Sequence, residues 1–129
     1  MVLDSSAIVA ILFQEEDAAQ FSLAIEQSSS RKMSAGTYLE TGIVIEKSGR
    51  TAGAEDFDRL IEETQIEIVP FNMEQARIAR EAYRRYGKGN HRAGLNFGDC
   101  FAYALAKVTN EPLLFKGDDF GRTDIVPAA

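Results

Sequence analysis

Short apolar runs alternate along this chain with stretches whose apolar residues recur every three or four positions. The first pattern predicts strands and the second predicts helices. Met1-Val2-Leu3 is an apolar run ending at Asp4, and Ser5 to Phe13 predicts a helix capped by Asp4 or Ser5. A second helix is expected from about Ala18 to Gln27, and Lys32-Met33-Ser34 is a short strand candidate. Thr37 to Lys47 predicts a helix with Leu39, Ile43 and Val44 on one face, ended by Gly49. Ala54 to Thr64 predicts another, burying Phe57, Leu60 and Ile61. Ile66 to Val69 is a strand stopped by Pro70, and Met73 to Tyr86 a helix with Met73, Ala76, Ala79 and Tyr83 inward. Gly87 to Gly94 is rich in helix breakers and reads as a loop. Phe97 to Val108 predicts a helix with Phe97, Phe101, Ala104, Leu105 and Val108 in register. Leu113 to Phe115 follows as a short strand, Gly117 opens a turn, and Ile125-Val126 is a candidate edge strand.

Strands separated by helices, with no Asn-Gly or similar hairpin signal between them, predict a parallel sheet covered by helices on both faces. The fold class expected is therefore α/β. At 129 residues, with no internal repeat or linker, the chain is read as one domain spanning residues 1–129. Its single cysteine excludes an internal disulfide. No basic region precedes an apolar leader at Met1, and no apolar run reaches the roughly 18 residues of a membrane span. A cytoplasmic setting without membrane contact is expected.

Charge changes the picture locally. The net charge of -6 argues against general nucleic-acid binding. Between Glu74 and Arg92, however, six cations (Arg77, Arg80, Arg84, Arg85, Lys88 and Arg92) face two acids, a local charge of +4. Arg84, Arg85, Lys88 and Arg92 are the candidates for contacts to an RNA backbone, against the plainer reading of a solvated helix face.

The acids carry the chemistry. Asp4, Glu40, Asp99 and the pair Asp118-Asp119 each lie at the end of a strand-like run or near a helix start. Those positions converge at the carboxyl edge of an open parallel sheet, where such folds bind ligands. Carboxylates gathered without imidazole or thiolate favour hard cations such as Mg²⁺ or Mn²⁺. Each acid also has a plainer role. Asp4 serves as a helix N-cap, and one of its oxygens can cap while the other binds metal. Glu40 completes a T-x-x-E capping box with Thr37. Asp99 complements a helix dipole, with Gly98 before it leaving room for close approach. Asp118 and Asp119 suit a glycine-flanked turn; two adjacent acids repel, and a cation gives a reason to keep both. Asp124 is a weaker candidate.

Other chemistries find little support. The only histidine, His91, lies in the glycine-rich loop, Cys100 reads as a small core residue, and no phosphate-binding G-x-x-x-x-G-K-[ST] motif is present. A phospho-acceptor domain would need an isolated Asp after a central strand, where this chain has Pro70-Phe71-Asn72. An Asp-nucleophile phosphohydrolase would need Asp-x-Asp where Asp4-Ser5-Ser6 stands. A metal-binding or partner-binding domain without catalysis is the remaining alternative.

Val2 to Ala7, Tyr38-Leu39-Glu40, His91 to Ala106, Pro112 to Phe120 and Thr123-Asp124-Ile125, in that order, resemble the PIN-domain ribonucleases of the VapC toxin type. The resemblance covers nearly the whole chain. It implies a three-layer α/β/α fold and a metal-dependent endoribonuclease, the toxin of a toxin–antitoxin pair. It implies that Asp4, Glu40, Asp99 and an acid of the last turn, taken as Asp118 with Asp119 as the register alternative, bind Mg²⁺ or Mn²⁺. It further implies a homodimer and a cognate antitoxin that blocks the site. Many relatives carry a hydroxyl residue where Phe115 stands here.

Overall fold

The computed structural model describes all residues from Met1 to Ala129. Four short strands form one parallel sheet in the order β3-β2-β1-β4: β1 (Val2–Leu3), β2 (Lys32–Ser34), β3 (Glu67–Val69) and β4 (Leu113–Leu114). Six α-helices connect them: α1 (Ser5–Leu12) and α2 (Ala18–Gln27), then α3 (Ala35–Ser48) and α4 (Gly53–Glu63), then α5 (Met73–Tyr86) and α6 (Phe97–Thr109). Parallel strands need long crossovers, and paired helices supply them.

Residue alternation divides the core into two. Val2 and Leu113 are partners across β1 and β4, and both pack with Ala82, Tyr86, Leu95, Ala102 and Leu105 from the α5–α6 side. Leu3 and Leu114, one residue on, pack instead with Ala7, Ile8, Phe21, Ile25, Ile45 and Phe57. Strands buried on both faces require continuous apolar runs, and that is how Val2-Leu3 and Leu113-Leu114 read. The result is the expected three-layer α/β/α arrangement. Each fully buried Leu contributes roughly 1.5–3 kcal/mol relative to exposure.

The chain runs from β1 outward to β2 and β3, then returns through α5 and α6 to β4 on the other side of β1. The connections leaving β1 and β4 therefore diverge, and the carboxyl ends of these two strands frame a crevice. Asp4 N–H bonds the Leu114 carbonyl at 3.0 Å, and Lys116 N–H bonds Ser6 Oγ at 2.9 Å, so the two exits are stitched together.

Several helix faces differ from expectation. Helix α3 starts two residues before Thr37, capped by Ser34, whose side chain accepts from Gly36 N–H. Thr37 lies inside the helix, so the T-x-x-E capping box does not form. The buried positions of α3 are Thr37, Thr41 and Ile45, and Leu39, Ile43 and Val44 face outward. In α5 the buried positions are Gln75, Ala79, Ala82 and Tyr86, with Met73 and Tyr83 exposed. In α6 Phe97 and Val108 are exposed. The edge strand at Ile125-Val126 reduces to a single parallel bridge, Leu113 to Pro127, beside β4. The buried face of α3 carries Thr37 and Thr41 and that of α5 carries Gln75, so polar side chains take inward positions while Leu39, Ile43 and Met73 lie outside.

Candidate active site

Asp4 leaves β1 and caps α1. Its Oδ2 accepts hydrogen bonds from Ser6 N–H at 3.1 Å and Ser6 Oγ at 2.6 Å. Its Oδ1 is buried without a partner. An unpaired buried carboxylate oxygen is costly in a folded chain. Burial pushes the Asp4 carboxyl up to about 6, against the pull of the Ser6 bonds, and Glu40 raises it further.

Asp99 repeats the arrangement at the start of α6. Asn96 Oδ1 accepts from Asp99 N–H at 2.9 Å and Asp99 Oδ2 accepts from Asn96 N–H at 3.0 Å, a reciprocal capping box. Here too one oxygen caps and the other remains for a ligand. Desolvation raises its carboxyl to about 7, with the charges of Asp4, Asp119 and Glu40 adding in that order.

Glu40 projects from the second turn of α3. Ser5 Oγ donates to its Oε1 at 2.9 Å. Its Oε2 lies over Gly98, where an added Cβ would stand 1.6 Å away. The room expected beside Gly98 is thus the seat of the Glu40 carboxylate. Gly36 does the same for helix packing, since a Cβ there would meet the Phe101 ring at 2.2 Å. These two glycines let the first turns of α3 and α6 cross closely.

The last turn carries Asp118 and Asp119. Gly117 takes φ +100° and turns the chain, and both following acids are exposed. Asp119 makes no capping bond to the following 3-10 turn, and its charge is the one from this turn that acts on Asp99. Asp124 lies elsewhere, bound to Tyr103 Oη at 2.7 Å and Lys107 Nζ at 2.9 Å.

The acids expected to meet are therefore electrostatically coupled. No three carboxyl, imidazole or thiol groups close around a common point, so they form a set of coupled charges rather than a finished ligand cage. A divalent cation fits this set on three observations: all donors are oxygens, Asp4 Oδ1 is orphaned, and two carboxyls resist ionisation. Two residues outside the candidate list also matter. Ser5 orients Glu40, and Ser6 joins Asp4 to β4. Hydroxyls at the first and second positions after a strand-ending Asp are the sequence signal for them.

The basic candidates separate. Arg84 is bound to Glu81 and Arg85 lies over the Tyr86 ring, 4.8 Å from its centroid. Lys88 and Arg92 are exposed in the loop, with no ion pair. His91 Nδ1 accepts from Ala93 N–H, which gives it a role in loop structure. Cys100 is buried, its thiol raised to about 11 by desolvation, which opposes a nucleophilic role.

Comparison with known proteins shows the family. The PIN domain family matches residues 1–126. Ribonuclease VapC30 of Mycobacterium tuberculosis is 50% identical over 129 residues, covering 100% of this chain and 98% of that protein. Ribonuclease VapC of Mycolicibacterium smegmatis is 51% identical over 125 residues, covering 97% of each. The crystal structure of Mycobacterium tuberculosis VapC20, described as a sarcin-ricin loop cleaving toxin, superposes with a TM-score of 0.78 at 13% identity, over 97% of this chain and 95% of that one. A toxin–antitoxin complex from Klebsiella pneumoniae gives 0.71 at 18% identity, over 99% and 97%. The chain belongs to the PIN-domain family and, within it, to the VapC ribonucleases.

Gly98→Ala separates site geometry from stability. The new methyl would displace only the end of a flexible Glu40 side chain. We expect the melting temperature to stay within a few degrees while cleavage falls on the order of 10²-fold, the cost of misplacing a site group by about 1 Å. Parallel melting and cleavage assays check this, and a fully active variant would remove Glu40 from the site.

Proposed function

We propose that this chain is a divalent-metal-dependent endoribonuclease and the toxin of a toxin–antitoxin pair, acting in the cytoplasm on RNA phosphodiester bonds. The observation that carries the reading is the buried, orphaned Asp4 Oδ1 coupled to Glu40 and Asp99. Asp4, Glu40, Asp99 and Asp119 would hold Mg²⁺ or Mn²⁺, with Asp119 preferred to Asp118 because its charge acts on Asp99. Such a cation, when bound, lowers the pKa of an attacking water and neutralises charge growing on the phosphate. The chain's own residues prepare the site. Ser6 and Asn96 each hold one carboxylate oxygen in a helix cap and leave its partner free. Ser5 fixes Glu40 over Gly98. The stitching of Lys116 N–H to Ser6 holds the turn bearing Asp119 beside Asp4.

A homodimer and an antitoxin partner belong to the same reading. The outward Leu39 and Ile43, 62% and 46% exposed on the helix that carries Glu40, supply an apolar face for a second copy. The test is cleavage of labelled single-stranded RNA by the purified chain. Mg²⁺ or Mn²⁺ should support cleavage and excess EDTA should stop it. Sedimentation equilibrium on the same preparation reads the dimer. Undiminished cleavage in EDTA would end the metal assignment.

A further inference from the structure

Helices α5 and α6 enclose an open groove of about 1150 Å³. We propose that this groove is the track of the single-stranded RNA, with Phe97 as the platform for one base and Arg77 and Arg80 as the phosphate clamp. The proposal rests on the nuclease reading and names how that site takes its substrate.

The floor is aromatic. Phe97 is 78% exposed, an unusual place for a phenyl ring. It meets Phe101 edge to face at 5.1 Å and 87°, and Phe101 meets Phe71 at 4.7 Å and 70°. Phe101 is held in turn against Gly36, where no Cβ would fit. The platform is therefore preorganised, and little ordering is needed when a ligand stacks on it. Phe97 is the first residue of α6 and Asp99 the third. Phe97 and Asp99 thus leave the same first turn of α6 on different faces, so the groove and the acids flank one helix start.

The rim is cationic. Arg77, Arg80 and Arg84 recur at three and four positions and form one stripe along the groove. Arg84 is neutralised by Glu81, and Arg77 and Arg80 are in no ion pair. Without a cation the four coupled acids repel a phosphodiester, so RNA affinity in EDTA comes from outside the acid cluster. Unpaired guanidinium groups beside an open phenyl face match a ligand that carries both phosphates and flat rings. An apolar protein helix would satisfy the aromatic floor and leave the two arginines unmatched. Arg85, placed on Tyr86, and the loop residues Lys88 and Arg92 lie outside this groove.

The experiment is fluorescence anisotropy of a fluorescein-labelled single-stranded oligoribonucleotide of about ten nucleotides, a length within the site sizes of single-strand binders. It is run in EDTA so that binding is read without cleavage. Phe97→Ala should weaken binding roughly tenfold to a hundredfold with an unchanged melting temperature, and Phe97→Trp should restore it. The double variant Arg77→Gln, Arg80→Gln should reduce the slope of log affinity against log salt by about 1.4, that is about 0.7 for each of two lost phosphate contacts. Parental RNA affinity in Phe97→Ala overturns the proposal, and the nuclease reading survives if that variant still cleaves. Parental RNA affinity combined with loss of the co-expressed antitoxin makes the groove a protein site and also overturns it. A parent chain that neither binds nor cuts RNA overturns both readings.

Discussion

Asp4→Asn is expected to reduce RNA cleavage by on the order of 10³-fold or more and, in EDTA at pH 8, to make the chain more stable than the parent. The two effects have one cause. Asp4 is 3% exposed, and its Oδ1 has no partner. Keeping that oxygen charged costs folding free energy, which is why burial raises its carboxyl to about 6. Asparagine caps helices as well as aspartate does, so the bond from Ser6 N–H is retained. What the variant loses is the anion. Removing one group that stabilises charge at a reacting centre costs 10²–10³-fold in well-studied sites, and loss of a cation ligand removes more than one such interaction. Asp99→Asn should behave alike, since an amide oxygen can accept from Asn96 N–H within the same cap. Labelled-RNA cleavage rates and thermal melts check both variants. Retention of a tenth or more of the parental rate, or a clear fall in melting temperature in EDTA, would remove Asp4 from the centre of the site. Greater stability with lost activity is the mark of a site held under strain for function.

Much of this was legible in the sequence, and the failures share a cause. Val2-Leu3, Leu113-Leu114 and the limits of α2 and α5 follow from local pattern, because strands buried on both faces leave strong signals and α5 starts at a capping Asn72. The cap at Asp4 was also legible, and since a cap needs one oxygen of two, so was the second oxygen left without a partner. Facing was not. Leu39, Ile43, Met73 and Phe97 fit an apolar stripe yet lie outside, because which face meets its neighbours is a tertiary quantity; Ala79 is buried as expected, but Thr37, Thr41 and Gln75 are buried beside the apolar residues. The capping box was misplaced for a related reason. Thr37 and Glu40 match the motif, but strand β2 ends at Ser34 and the helix starts there. The true box, Asn96 with Asp99, uses the shorter side chains that a Ser/Thr-Glu/Gln template omits. The choice between Asp118 and Asp119 depends on how a turn at positive φ aims two adjacent carboxylates, and spacing alone carries no such information.

In EDTA, stability is expected to fall as pH rises from 5 to 8, and Mg²⁺ is expected to remove that fall. Asp4 and Asp99 are raised to about 6 and about 7 from an ordinary value of 3.8. Between the unfolded and folded values the native state binds more protons than the unfolded chain. Stability therefore decreases with pH across that window. The loss begins above about 4 and is complete once pH passes about 7. At about 1.4 kcal/mol per pKa unit, Asp4 alone accounts for on the order of 3 kcal/mol over the whole window, roughly half of it above pH 5. Asp99 acts in the same direction, but its charge interacts with that of Asp4, so its share does not simply add. The opposing groups titrate elsewhere. Glu81, Glu111 and Asp124 are lowered by their cationic partners and lose stability only as pH falls below the ordinary carboxylate range. Cys100, raised to about 11, destabilises only at alkaline pH above its ordinary value of 9.0. Divalent cations bind the deprotonated acids and so favour the native state most at high pH. At a hundred times its dissociation constant, Mg²⁺ adds about 2.7 kcal/mol, close to what deprotonation costs. Urea midpoints at pH 5 and pH 8, with EDTA and with Mg²⁺, measure all four corners of this cycle. Asp4→Asn should flatten the slope in EDTA and reduce the response to Mg²⁺. A metal-free chain as stable at pH 8 as at pH 5 would mean that the carboxylates are solvated and apart, and neither the cation nor the strain argument would survive.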